Sequence, residues 1–486
     1  MAEGLSGAGQ FIIDVASILT SSGLEVNIEP SIAAITLYED TELMTVAGNI
    51  MMEDSGNLAS IGPIIGQEYL KLRIRTPSFK GEHAIIDYTE NAFVINNLEG
   101  RGAIGNNVQM YLLTFVTQEL VKNQRTRVNS VLRGSYSSIV QNMLENYIGT
   151  KKDIYTEPTA RNKKIITPNI SPFDVITKAM KESVSKRDNN TSYMFFENIR
   201  GFHFRSLASM YAQKPQLSYT TSVAGSKVGK AGNIDVLADL QTVLGYEIVG
   251  NSDSLSNYTL GTFGSKLIVH DIFNKKYSTH IYNHLDNFDK ESHIVGTNPL
   301  TKGKIDYPIY SATPVDDAGS RVSDFPFRQF MFPTSIKDVN AFSDSTFNTS
   351  DNSYPFSANV PHTWIQKITS QKTQLKLGFL LDVVAHGNTL LNAGDVVEMS
   401  LPYKAALKTS KKETEDRFYK GPFFVKKITH NFDSSNDKHT MILLLAKDSL
   451  EEEMVDAMSN LAPQPKRKPI VYNELDDFYE DYFYGA

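Results

Sequence analysis

Short runs of alternating apolar and polar residues recur along this chain, and a stretch of helical spacing interrupts them. Leu24-Glu25-Val26-Asn27-Ile28 and Leu70-Lys71-Leu72-Arg73-Ile74-Arg75 each send every second side chain to one face. That period of two marks strands with one buried and one wet face. Longer strands are expected over Ala84 to Ile95 and Val108 to Val116, with a helical excursion from Glu53 to Leu58 and on through Ile61, Ile64 and Ile65. Residues 11 to about 130 therefore read as a β domain.

The period then changes. Tyr136, Ile139, Val140, Met143, Leu144 and Tyr147 fall on one helical face, and Gly149 is placed to end that helix. Ser171-Pro172-Phe173-Asp174 is a helix start: a capping serine, a proline in the first turn and a carboxylate at the positive helix end. Tyr193 to Glu197 and Phe202 to Ser206 predict a hairpin turning at Ile199-Arg200-Gly201. Strands return at Tyr246 to Val249 and Lys266 to Val269. They are expected to resume at Trp364 and run to Ala446.

Between about 290 and 360 the chain is rich in Ser, Thr, Asn, Asp and Pro, with Phe325, Phe327, Phe330 and Phe332 as its ordering residues. It reads as a loop-rich insertion. Ser449-Leu450-Glu451-Glu452 predicts a capped helix with Leu450, Met454, Met458 and Leu461 on one face. A linker stiffened by Pro463, Pro465 and Pro469 follows. The end of the chain interleaves Glu474, Asp476, Asp477, Glu480 and Asp481 with Phe478, Tyr479, Tyr482, Phe483 and Tyr484. Such a segment cannot build a core alone but can bury its rings on a partner. These five aromatic residues are the candidate partner-binding residues; the bland alternative is a solubilising tail.

Composition narrows the function classes. The 486 residues are 41% hydrophobic, ample for several cores, and the net charge of −7 gives no hint of a concentrated basic face for nucleic acid. With no cysteine, disulfides, thiolate metal sites and cysteine nucleophiles are excluded. Tyr (23) and Phe (26) outweigh the single Trp, a balance that favours strands. No secretory leader is visible at Met1 to Gln10, and apolar runs such as Met441 to Ala446 are far too short to span a bilayer.

The motifs that carry chemistry are weak. Gly225-Ser226-Lys227-Val228-Gly229-Lys230-Ala231 lacks the spacing of a phosphate loop and has alanine where magnesium needs a hydroxyl; it reads as a mobile loop. His203, between Phe202 and Phe204, reads as a surface or hydrogen-bonded residue. His430 and His439 flank a turn at Asp433 to Asp437 and read as polar strand ends, with a metal pair as the sharper alternative. The doublets Glu53-Asp54 and Asp476-Asp477 read as a turn and a solvated tail. No nucleophile elbow is present, and no catalytic residue, cofactor or metal site is assigned.

One colinear set of segments resembles a known family, the baseplate hub proteins of contractile-tailed (myovirus-type) phages. The clearest runs from His386-Gly-Asn-Thr-Leu-Leu-Asn-Ala-Gly-Asp395, through Tyr419-Lys-Gly-Pro-Phe-Phe-Val-Lys-Lys-Ile-Thr-His430, to Lys438-His-Thr-Met-Ile-Leu-Leu-Leu-Ala-Lys-Asp448. Asp54 to Leu58 with Pro63 to Glu68, Tyr111 to Glu119 followed by Gly134 to Leu144, Thr167 to Ser206, and Tyr258 to Asp271 agree in order. The insertion and the tail match no family pattern.

The resemblance implies a mainly β, α+β architecture with two antiparallel tube-type β-barrel domains. The first would be 1–130, then a small α/β module with linker (131–239), and a discontinuous second barrel (240–289 and 362–448). The insertion (290–361) and the helix, linker and tail (449–486) complete it. It also implies a non-enzymatic homotrimer in the virion baseplate, made in the host cytoplasm. That trimer would adapt the sixfold tail tube to the threefold central spike, with DNA and the tape-measure protein passing its lumen. Further partners are neighbouring baseplate proteins. The alternatives are a tail-associated cell-wall hydrolase or peptidase with its site in 290–361, and a secretion-spike component lacking the usual needle.

Overall fold

Alternation in the N-terminal strands turns one face of the first sheet toward a core. A computed structural model describes residues 7–451, apart from 63, 78–83, 105–107, 161, 189, 222–235, 251–252, 272–274, 296–306, 310–318, 335–362, 403–415 and 417. Its first strands are β1 (Ile12–Leu19), β2 (Glu25–Asn27), β3 (Ile32–Asp40), β4 (Ala47–Asp54), β5 (Tyr69–Arg75), β6 (Ile85–Asp87), β7 (Phe93–Ile104) and β8 (Val108–Val116). They order as β2-β1-β5-β7-β8-β4-β3, with β6 on β5. Ile35, Ile50, Leu72, Leu113 and Phe115 fill the inside and are fully buried. Outside, Asp14, Arg73, Arg75 and Asp87 form a ladder of ion pairs.

Two expectations change here. The single strand expected from Ala84 to Ile95 is two, β6 and the start of β7. Asp87 accepts both the N–H (3.0 Å) and the hydroxyl (2.6 Å) of Thr89, which turns the chain. The helical excursion shrinks to Leu58–Ile61, its start closed by Asp54, which accepts N–H groups from Gly56 and Ala59 at 3.0 and 3.2 Å.

The next strands are β9 (Val128–Ser135), β10 (Ile154–Thr156), β11 (Asn162–Ile170), β12 (Tyr193–Asn198) and β13 (Gly201–Ser206). The helix at Tyr136–Asn142 continues as a wider turn to Ile148 and ends at Gly149, whose φ of 65° is the left-handed stop the sequence predicts. Ser171 and Asp174 form the capping box of the Pro172–Glu182 helix. Tyr193, Phe195, Phe202 and Phe204 pack with Phe173 and Ile176 into one buried core.

The remaining strands are β14 (Leu217–Thr221), β15 (Thr242–Gly250), β16 (Gly264–Asp271), β17 (Lys276–Asn283), β18 (Tyr307–Pro308), β19 (Arg328–Thr334), β20 (Phe379–His386), β21 (Val396–Ser400), β22 (Gly421–Asp433), β23 (Lys438–Lys447) and β24 (Ser449–Leu450). β22, β21, β14, β15, β20 and β23 close on themselves as a six-strand barrel. All its pairings are antiparallel except those of β14, which runs parallel to both neighbours. Residues 264–283 leave the barrel for a separate sheet, β17-β16-β19.

The two β units share a strand. The first half of β22 pairs with β21 as far as Phe424; from Lys427 to Asp433 the same edge pairs with β3. The hand-over coincides with a bulge opposite β23, between Val425 and Lys427. The carbonyl of the extra residue, Lys426, accepts the N–H of Thr41 at 3.0 Å, which stitches the seam.

Two C-terminal expectations are corrected. Trp364 does not open a strand: Thr363–Leu377 is a helix. Its buried face is polar, with Gln366 donating to the carbonyl of Ser265 (2.9 Å) and Ser370 to that of Thr262 (2.7 Å), so no apolar stripe announces it. Ser449 does not cap a helix. Its hydroxyl accepts the N–H of Val295 at 3.2 Å, and Ser449–Leu450 pairs with Tyr307–Pro308. Residues 452–486, with the remainder of the expected helix, the linker and the tail, lie outside the described residues. So do the Gly225–Ala231 loop and most of 290–361.

Candidate functional site

The hairpin β12–β13 points its turn at the seam between the two β units. It is paired through every residue from Tyr193↔Ser206 to Asn198↔Gly201 and is almost wholly buried. Gly201 has φ +134°, and a Cβ there would stand 2.3 Å from the carbonyl oxygen of Asp153. Only glycine lets β10 run this close beside β13.

At the tip, Glu197 reaches into the first β unit. It accepts the N–H of Val46 (3.1 Å) and the hydroxyl of Thr117 (3.0 Å), and its other oxygen takes Lys152 at 2.5 Å. The same ammonium holds Glu119 at 2.8 Å, and the rings of Tyr88 and Phe202 lie 5.3 and 5.8 Å from it. Burial alone would discharge Lys152, but two carboxylates override it and hold its pKa above the ordinary value. Burial likewise opposes the charge on Glu119, yet Lys152 holds it below the usual range. Glu197 is pushed up, because complete burial outweighs its share of the lysine.

The other side of the tip grips the second barrel. Arg200 makes a two-pronged contact with Asp395 (2.8 and 2.9 Å) and donates to the carbonyl of Leu390 (2.9 Å). Asn198 donates to the carbonyl of Ala393 at 3.0 Å, and its oxygen faces His203 at 2.9 Å. Glu39 of β3 closes the triangle by accepting N–H groups from Ala393 (2.8 Å) and Ile199 (3.3 Å). Its burial pushes the carboxyl up to about 8, against the pull of those two bonds. Thr389 bonds Thr76 (3.1 Å) and the carbonyl of Ala84 (2.5 Å). The turn from Asn388 to Asp395, the core of the sequence signature, is thus tied at once to the first β unit and to the hairpin. Chemically this is a polar clamp in which a buried donor or acceptor without its partner is expensive, so its geometry is strongly specified.

Beside the clamp lies a cleft of about 550 Å³, lined by Arg73, Asp87, Glu90, Lys151, Asp153 and Arg200 among others. Its charges are of mixed sign.

The singled-out histidines lie in the interior. His203 is buried and hydrogen-bonded rather than on the surface. His430 and His439 are buried as well, not polar strand ends, and face each other with Nδ1 of one 3.1 Å from Nε2 of the other. The aspartate between them, Asp433, accepts the N–H groups of Ser435 and Asn436, which commits it to the turn. Among the described residues no cluster of three or more His, Asp or Glu is placed to hold a metal. Asp54 of the Glu53-Asp54 doublet closes a turn, as read. Phe478, Tyr479, Tyr482, Phe483 and Tyr484 lie outside the described residues.

Four buried histidines give a pH expectation. Burial pulls His203, His284 and His430 down to about 3 and holds His439 well below the ordinary histidine value, so all are neutral in the fold. The unfolded chain takes up these protons near pH 6.5. Their stabilisation is therefore complete above about pH 6.5 and is lost as pH falls toward 3, by up to about 1.4 kcal/mol per histidine per pH unit. Glu39 opposes this, since its raised pKa gives stability that is lost as pH rises from about 4.5 to 8. The raised carboxyls of Glu197, Glu291, Asp382 and Asp395 act in the same sense as Glu39. With His280 and His386 also lowered, however, six imidazoles stay neutral in the fold below the pH at which the unfolded chain charges them. Thermal melts should therefore show a falling midpoint from about pH 6.5 to 5. A midpoint constant over that window would contradict the neutral histidines.

No family model and no curated protein matches the chain. Solved structures do resemble it. A tail protein from Neisseria meningitidis MC58 aligns with a TM-score of 0.49 and 10% identity, over 90% of this chain and 97% of that one. The 43 kDa tail protein of prophage MuSo2 from Shewanella oneidensis gives 0.48 and 9%, over 89% and 98%. The E. coli c3393 protein, a type VI secretion component described as similar to the T4 bacteriophage tail proteins gp27 and gp5, gives 0.39 and 8%, over 90% and 76%.

Proposed function

We propose that this chain is a structural subunit of a phage tail baseplate, a hub that assembles as a homotrimer with two barrels from each copy in one ring. The observation that carries the reading is the shared strand β22 with the clamp beside it. A ring of six barrels built from three chains requires a fixed angle between the two barrels of each chain. A common strand and a buried polar clamp supply that rigidity. The colinear segments from residue 50 to 450 support the same reading. Ring closure would also cover strand edges that otherwise invite aggregation.

In this reading the ring adapts the sixfold tail tube to the threefold spike in the virion. Its lumen passes DNA and the tape-measure protein without gripping them, consistent with the mild negative charge. The domain limits given above stand as part of the proposal, except that Leu217–Thr221 joins the second barrel and residues 264–283 leave it; its role is non-enzymatic.

The acidic–aromatic tail, with Phe478, Tyr479, Tyr482, Phe483 and Tyr484, docks on a neighbouring baseplate protein. Deleting residues 463–486 should leave the melting midpoint within about 2 °C, since an acidic–aromatic segment behind a proline-rich linker cannot build a core alone. It should lower incorporation into reconstituted baseplates several-fold. Full incorporation of the truncated chain would make the tail a spacer. Co-assembly of the full chain with its tail-tube and spike proteins tests the hub role; a chain that binds neither contradicts it.

A further inference from the structure

The sheet β17-β16-β19 has two unlike faces. Leu267, Val269 and Tyr282 point inward and are buried on the side of the Thr363–Leu377 helix. The outward positions form three rows across the strands: Ile281–Lys266–Gln329, Thr279–Ile268–Met331 and Tyr277–His270–Pro333. Tyr277, Ile281 and Met331 are 74, 67 and 70% exposed. Large apolar side chains this open, gathered on one small sheet, mark an interaction surface rather than scattered surface residues.

Charge on this face has one sign. Lys266 stands among the outward positions, which include no carboxylate, and exposed Lys275 sits in the turn beyond Tyr277. At the opposite end Asp286 and Asp324 are held by Arg321 at 2.8 and 3.0 Å. Three strands about 4.8 Å apart and five residues of about 3.3 Å give a patch of roughly 10 by 13 Å. That is far below the ~800 Å² per partner of a stable globular interface. The size excludes the flat side of a second copy as a lasting occupant and suits a short extended segment.

We infer that this face docks a short extended segment of a partner protein in which carboxylates flank apolar or aromatic side chains. The segment's rings lie on Ile268, Ile281 and Met331, and its carboxylates meet Lys266 and Lys275. The site stands independently of the hub reading.

The test uses the full chain and a labelled synthetic peptide alternating Asp or Glu with Phe or Tyr, followed by fluorescence anisotropy. Saturable binding is expected. Tyr277→Ser/Ile281→Ser/Met331→Ser should weaken it about tenfold or more. Lys266→Glu/Lys275→Glu should weaken it several-fold at low salt, with the difference shrinking as salt rises. Four of these positions lie on the solvent side of the sheet and Lys275 in the exposed turn beside it, and unchanged melts confirm that the variants fold. Three results overturn the inference: no saturable binding, equal binding by both variants, or equal binding of a peptide with lysine in place of each acid. Self-association of the full chain that the triple serine variant abolishes also overturns it, because the face would then join copies of this chain.

Discussion

Lys152→Met should lower the stability of the folded chain by about 3–5 kcal/mol. Methionine keeps the aliphatic stem but leaves Glu119 and Glu197, 2 and 1% exposed, without their shared cation. Two desolvated carboxylates would then repel each other beneath the hairpin that spans the seam. The remedy distinguishes charge from packing: adding Glu119→Gln and Glu197→Gln to Lys152→Met should recover most of the loss, because amides still serve Thr150, Val46 and Thr117. In the single variant the stranded carboxyls would have raised pKa values, so its deficit should shrink as pH is lowered from 7 to 5. Urea unfolding at both pH values measures this. A deficit under 1 kcal/mol would mean that the ion triad adds little to the fold.

The second large effect concerns the other half of the clamp. Arg200→Ala removes two charge-assisted bonds to Asp395 and one to the carbonyl of Leu390. Asp395 is 2% exposed, whereas the Arg200 side chain keeps 20% exposure. The expected loss is therefore somewhat below that of a fully buried pair, about 2–4 kcal/mol. A double-mutant cycle with Asp395→Ala isolates the pair. Because the contact fixes the hairpin to the second barrel, Arg200→Ala should also impair ring assembly at temperatures where the subunit remains folded. Assembly unaffected in a folded variant would separate the clamp from the function proposed for it.

What the sequence discloses follows from how each element is stabilised. Elements marked by apolar runs, a capping box or turn residues were legible: β5, the hairpin β12–β13, the capped helix at Pro172 and the turn between His430 and His439. The Thr363–Leu377 helix was not, because it buries glutamine and serine against carbonyls and presents no stripe. Ser449 looked like a helix cap because sequence shows a hydroxyl but not the distant Val295 that uses it. The clamp was half visible. Its hairpin turn, Ile199-Arg200-Gly201, was readable as a turn, but its approach to the stretch from Asn388 to Asp395 joins residues nearly two hundred apart. One signal could have found it. In β3 the residues Ile35, Leu37 and Glu39 share the inward parity, so a carboxylate stands where the strand buries its side chains. Glu197 in the otherwise apolar Tyr193–Glu197 strand is the same kind of mark.

Two barrels held at a fixed angle would let three chains close a ring, and cryo-electron microscopy of the purified full chain, with its mass measured in solution, tests that most directly. The predicted particle has three times the 54.3 kDa of one chain and shows six barrels around one lumen, alternating between the two kinds. A chain that stays monomeric with its tube and spike partners present, or a threefold particle whose barrels do not lie in one ring, would contradict it.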